Sequence, residues 1–253
     1  QMEISDEKVA GLLLAFVAAA LVHGFLILSM RMAKKVFHWK DIERASVIYT
    51  NAANLTIPLI AAVLGQDWIF YTSAFIIVQM MLFWSHGMTL IVPGIGMDWK
   101  KMLLNPNIIA IGIGLVLFAA RIRMPVVIDT AVAGFGDMIG PISMVMIGML
   151  LAGVDWKLVF GKRRIYGIVF LKMIVVPGII TLCLKLAAPL IPMENAKTIL
   201  LISLLAVIAP TAVTITQMAQ LYKRDAAYAS SINVFTTLVC IVTMPLMVML
   251  YMI

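Results

Sequence analysis

Charge is what this sequence has least of. Only 12% of its 253 residues are Asp, Glu, Lys or Arg, about half the share of a soluble domain, which excludes an ordinary water-soluble globule. Cysteine is nearly absent: Cys183 and Cys240 both lie within apolar runs, so there is no disulfide framework and little to say of redox compartment. Three histidines show no metal spacing with Glu on one helix face. There is no G-x-S-x-G and no pair of intramembrane aspartates. Asp129 and Asp137 are eight apart, and Pro125 places the first near a surface. Gly94 and Gly96 mark a helix exit and no phosphate loop, because no GK[ST] follows. An enzyme is therefore not expected, and neither a cofactor nor a metal is called for. Alternating ten-residue strands are missing too, which excludes a membrane barrel.

What is abundant is apolar sequence. Hydrophobic residues make up 63% of the chain, in recurring runs of about 20 residues, each long enough to cross a ~30 Å hydrocarbon layer. Eight spans are predicted, near 9–31, 45–65, 70–93, 105–121, 131–153, 164–187, 197–221 and 226–253. The linkers after odd-numbered spans carry 13 basic residues and those after even-numbered spans carry three, among them Lys101 in the first group and Arg121 and Arg123 in the second. The positive-inside rule makes the odd linkers cytoplasmic and places both chain ends, including the acidic start around Glu3, outside a multi-pass cell membrane. The net charge of +7 is accounted for by these linkers, so no nucleic-acid partner is implied. The partner is the lipid bilayer.

Two spans are odd. "NAANLTIPL", Asn51 to Leu59, and "APTAVTITQ", Ala209 to Gln217, put proline and polar side chains near the middle of apolar helices. Each is the middle of a three-helix set, and the two sets begin on opposite membrane sides, the pattern of inverted repeats in secondary transporters. The second repeat would be 103–253, with five helices. The first, 1–102, shows three, so two helices and about 50 residues are expected to precede Gln1. A genuine eight-helix protein is the alternative.

Together these features resemble the auxin efflux carrier family, especially its short bacterial members. Asn51, Pro58 and Leu59 match the family pattern N-x-G-F-x-G-x-P-L, whereas Ala53, Asn54 and Thr56 depart from it. "NPNIIAIGIG" at Asn105, "GDMIGPISMVMIG" at Gly136 and the stretch from Ala209 onward resemble later family helices in order and spacing. The resemblance implies an all-α polytopic membrane protein of inverted five-helix repeats, ten helices in the family and eight here, with two broken crossover helices. It implies a scaffold, 103–153, a transport domain, 1–102 plus 164–253, and a homodimer. It also implies small organic anions as substrates, either auxin-like acids or dicarboxylates.

A proline removes a backbone donor, and freed backbone groups are tolerated in a membrane where they are buried in protein or line a wet cavity. Half-helix N-termini favour a carboxylate. Asn51, Asn54, Thr56, Pro58, Pro210, Thr211 and Thr214 are accordingly the candidate substrate-binding residues, with Pro58 expected to create the first break. The plainer alternative is that the amides and threonines join helices and the prolines only kink them. Lys172, the one basic residue well inside a span, and Asp137 are candidates for coupling or charge compensation. Lys172 could instead snorkel to a surface, and Asp137 could open a helix in an external loop. His86 is a lesser coupling candidate, and His23 a weaker one still. The leading expectation is a secondary or facilitated carrier working by alternating access, with proton coupling favoured. Sodium is disfavoured, because acidic residues are lacking near the breaks. The runner-up is a transporter-like sensor that binds without transport.

Overall fold

The computed structural model describes residues 6–92, 94, 100, 103–120, 122 and 124–253. Gly96, Lys101, Arg121, Arg123, Glu3 and the expected repeat boundary at 102 lie outside the described residues. Helices carry the described chain, and five are long and apolar enough to cross a membrane. An all-α polytopic membrane protein is what the structure holds.

α1, Asp6–Phe37, has acids in its first turn and Lys34 and Lys35 in its last, matching the helix dipole. Its buried stripe is small: Gly11, Ala15, Ala18, Ala19 and Val22, recurring at three- and four-residue spacing. Small residues let membrane helices approach closely. A Cβ at Gly11 would lie 2.8 Å from both Ile199 Cδ1 and Tyr71 Cε1. α1 thus packs on α4, Gln66–Ile91, and on α10, Ala196–Ile208. The latter is the hub. Every residue from Ile199 to Ile208 is buried, as expected of a helix that is apolar all round.

The expected second and seventh spans are each split. α2, Asp41–Ile48, is followed by α3, Ala52–Val63, and α10 by α11, Val213–Leu221. Between them come α5, Pro106–Ala119; α6, Val126–Asp137; α7, Ile139–Ala152; α8, Trp156–Gly161; and α9, Arg163–Leu190. α12, Ala226–Met252, ends the chain. α6 and α7 stand at the edge of the packing, largely exposed: Ser143 is buried, but large apolar side chains such as Val127, Phe135 and Met149 are not. In a bilayer such surface costs nothing against lipid.

Pro58 does not make the first break. The chain leaves helical geometry at Tyr49, φ −96° and ψ 129°, and at Asn51, φ −81° and ψ 48°. Pro58 sits nine residues after Tyr49, inside α3. A π-type widening over Ala52–Thr56 precedes it, which opens the turn where the proline ring would otherwise strike the carbonyl four residues back. The same device recurs in α9, where a widening over Leu171–Val175 precedes Pro177. Pro210, by contrast, lies within its break, between Ala209 (φ −60°, ψ 153°) and the extended Ala212.

Candidate functional site: two interrupted helices joined at their breaks

The two breaks meet. Thr50 and Thr211 face each other as an isolated antiparallel bridge. Their neighbours exchange the hydrogen bonds: Asn51 N donates to the Pro210 carbonyl (2.8 Å) and Ala212 N to the Tyr49 carbonyl (3.0 Å). In such a pairing the facing residues point their own N–H and C=O outward. Both are taken up by side chains of a following helix. Gln79, on α4, accepts from Thr50 N (3.0 Å) and Thr50 Oγ1 (2.9 Å) and donates from Nε2 to the Thr50 carbonyl (2.9 Å). On the other side α12 does the same with two residues. Thr211 N donates to Thr236 Oγ1 (3.1 Å), and Asn233 Nδ2 donates to the Thr211 carbonyl (2.8 Å). The result is a hydrogen-bonded ladder crossing the protein, from Gln79 through Thr50 and Thr211 to Asn233 and Thr236, in a place where unpaired backbone groups cost several kcal/mol each.

Most of the helix-end carbonyls find partners too. An interrupted helix exposes its last carbonyls. Ser46 O accepts from Thr211 Oγ1 (2.9 Å), Leu205 O from Thr56 Oγ1 (3.5 Å) and Ile208 O from Cys240 Sγ (3.9 Å). Lys172, fully buried in α9, reaches Val47 O of α2 (3.0 Å) and Val207 O of α10 (3.5 Å) with one ammonium.

The candidate residues therefore divide. Thr211 and Thr56 are fully buried and spend their hydroxyls on helix ends, and Pro210 lends its carbonyl to the bridge. Asn51 is buried at 6% exposure, yet its side-chain amide has no protein hydrogen-bond partner among the described residues. Asn54 and Thr214 are half-buried at the first turns of α3 and α11, also without a side-chain hydrogen bond. Pro58 is half-buried, its Cβ facing Gly140 of α7. Lys172 does not snorkel, since it is held by the two breaks. Asp137 ends α6, is exposed, and hydrogen-bonds to neither break among the described residues. His86 lies in a π-type turn of α4, Phe83–Gly87, where its Nδ1 is 3.0 Å from Tyr49 Oη. That hydroxyl also donates to Leu82 O (2.9 Å), tying the first break to α4. His23 is buried, with Nδ1 2.8 Å from the Ala19 carbonyl.

Gln79, Asn233, Thr236 and Tyr49 were not among the residues the sequence marked out. A signal existed: single amides inside apolar spans, each two to three dozen residues beyond a polar break. Glu43 is a further omission. It is fully buried and accepts from Arg164 Nε (2.5 Å) and Nη2 (2.7 Å), Tyr228 Oη (2.8 Å) and Lys40 N (2.7 Å). Lys40 and Lys162 lie 5.4 and 4.8 Å from the Tyr228 ring centroid. This cluster fastens α2, α9 and α12 at one end of the breaks.

A family model described as membrane transport protein matches residues 92–248, more than half the chain. The chain belongs to this family, that of the auxin efflux carriers whose motifs it resembles, and is a membrane transporter by family. The match includes α10, α11 and most of α12. No curated protein matches the chain.

Proposed function

We propose that the protein carries small organic anions across a cell membrane by alternating access, with the substrate held where the two interrupted helices cross. One observation carries this reading: the backbone bridge at Thr50 and Thr211 brings the first turns of α3 and α11 to one place and leaves Asn51 with an unused amide beside them. First-turn N–H groups have no acceptor within the helix and sit at the positive end of its dipole. They suit a carboxylate. Asn51, Asn54 and Thr214 add neutral donors. Nothing in this set prefers one carboxylate, so auxin-like acids and dicarboxylates both stand as substrates.

The transport domain is 1–102 plus 164–253, and the scaffold is 103–153, within two inverted repeats of which 103–253 is the second. The sparse packing of α6 and α7 beside the dense packing around α10 supports a division there. The exposed apolar face of α6 and α7 is where a second copy would pair. The odd linkers are cytoplasmic and both chain ends are outside. Protons, or the membrane potential alone, drive the flux.

The test is counterflow in proteoliposomes with a panel of labelled mono- and dicarboxylates. Saturable uptake that is lost in Asn51→Ala supports the proposal. Binding of a carboxylate with no uptake by the intact protein replaces it with a sensor of the same fold.

A further inference from the structure

Lys172 is an unusual tenant. It is fully buried, and no carboxylate lies within ion-pair distance of it among the described residues. An ammonium so placed needs compensating charge. Its partners are two carbonyls, Val47 O and Val207 O, and both belong to the last turns of interrupted helices. Each helix C-terminus carries the equivalent of roughly half a negative charge. Two such ends converging on one point amount to about one negative charge, which one ammonium balances.

Carbonyls at paired half-helix ends are also what carriers built from broken helices use to hold a sodium ion. Oxygen ligands and net negative potential are both present here, and the cation is supplied covalently. The widened turn at Leu171–Val175 aims it. We propose that the Lys172 ammonium is a resident replacement for a bound monovalent cation: it holds the ends of α2 and α10 together, so the protein needs no sodium, and deleting the side chain turns the vacated space into a cation site. This sharpens the role of the breaks in the proposed carrier, but it concerns binding of a cation and stands or falls without any transported substrate.

The experiment is thermal unfolding of the purified full chain in detergent, at constant ionic strength, in sodium chloride, methylammonium chloride or choline chloride. The wild type should melt at the same temperature in all three. Lys172→Ala should melt lower in choline and recover part of the loss in sodium or methylammonium, saturably, because choline is too large for the space. Lys172→Met, which fills the space without charge, should melt lower than wild type and respond to no cation. A wild type stabilised saturably by sodium overturns the proposal. So does a Lys172→Ala protein that is equally unstable in all three salts. Should Lys172→Ala not survive extraction, Lys172→Met decides: melting equal to wild type overturns the proposal, and lower melting without cation response upholds it. A merely space-filling lysine would predict that Lys172→Met is tolerated and that no variant discriminates among salts. Loss of transport alone bears on the proposed function and leaves this prediction standing.

Discussion

Replacing Gln79 by leucine tests the ladder directly. The leucine keeps most of the volume and removes both amide groups. Thr50 is 1% exposed, so water does not reach the groups left behind. Two backbone groups lose their partners, the N–H that donated to Oε1 and the carbonyl that accepted from Nε2. The Thr50 hydroxyl loses its acceptor as well but can rotate. A buried backbone group left unsatisfied costs about 1–3 kcal/mol, so the substitution should cost about 2–6 kcal/mol in all. For a chain of this size that is a drop of about 4–24 °C in Tm, read at one fixed scan rate because membrane proteins seldom unfold reversibly. Asn233→Leu is the internal comparison. It strips the donor from one backbone group, the Thr211 carbonyl, since Thr236 continues to serve Thr211 N and the Thr237 hydroxyl that also reaches Asn233 Oδ1 keeps the Asn233 carbonyl, and should lose about half as much. Equal melting of Gln79→Leu and wild type, within about 1 °C, would refute the idea that side-chain amides hold the breaks open. A larger loss in Asn233→Leu than in Gln79→Leu would refute the assignment of two groups to one side and one to the other.

Asn51→Ala removes an amide with no protein partner. Its melting temperature should stay within about 2 °C of wild type, a surface-like effect of under ~0.5 kcal/mol, while saturable carboxylate uptake falls at least tenfold; a large stability loss would make Asn51 structural instead. Gly87→Ala would bring a Cβ to 2.8 Å from Tyr49 Cε2 and 2.9 Å from Phe83 Cδ2, so it should destabilise by about 1–3 kcal/mol, whereas Gly24→Ala, with open space around it, should be neutral when both are melted side by side. Asp41 predicts a pH effect. Partial burial raises its carboxyl, but hydrogen bonds from Lys34 and Arg44 outweigh this and hold its pKa below the ordinary value of 3.8. A depressed carboxyl contributes stability that is present above the unfolded-state pKa and is lost as pH falls through the folded one. Asp41→Asn should therefore melt slightly below wild type at pH 6, by under about 1 kcal/mol given the exposure of the pair, and the difference should shrink and then vanish as pH falls through the depressed folded-state pKa. A gap that does not narrow on acidification would show that charge at Asp41 is not its cause.

Much of the fold was legible in the sequence because hydrophobic run length reports membrane crossing independently of partners. Each of the eight expected spans falls on helix, and the two polar stretches beginning at Asn51 and Ala209 adjoin the breaks at Tyr49–Asn51 and Ala209–Ala212, whereas the turn at Met138 that divides the expected fifth span into α6 and α7 was not expected. Lys172 was legible as an oddity, since a charge inside an apolar span is rare enough to single out. What could not be read was partnership. Pro58 looked like the cause of a break because proline is the strongest local disruptor, yet a widened turn absorbs it and the break falls at Tyr49–Asn51. Thr56 looked like a ligand and is committed to Leu205 O on another helix.

By itself, then, the sequence determined that the chain is a bundle of membrane helices and which two are interrupted, because apolar length and polar punctuation are local properties. Only the tertiary structure decided that the interruptions pair through Thr50 and Thr211, that Gln79, Asn233 and Thr236 complete the pairing, and that one ammonium serves two helix ends. These contacts join residues from 22 to 161 positions apart. They form because in a water-free interior every freed N–H and C=O must find a partner wherever the fold can bring one.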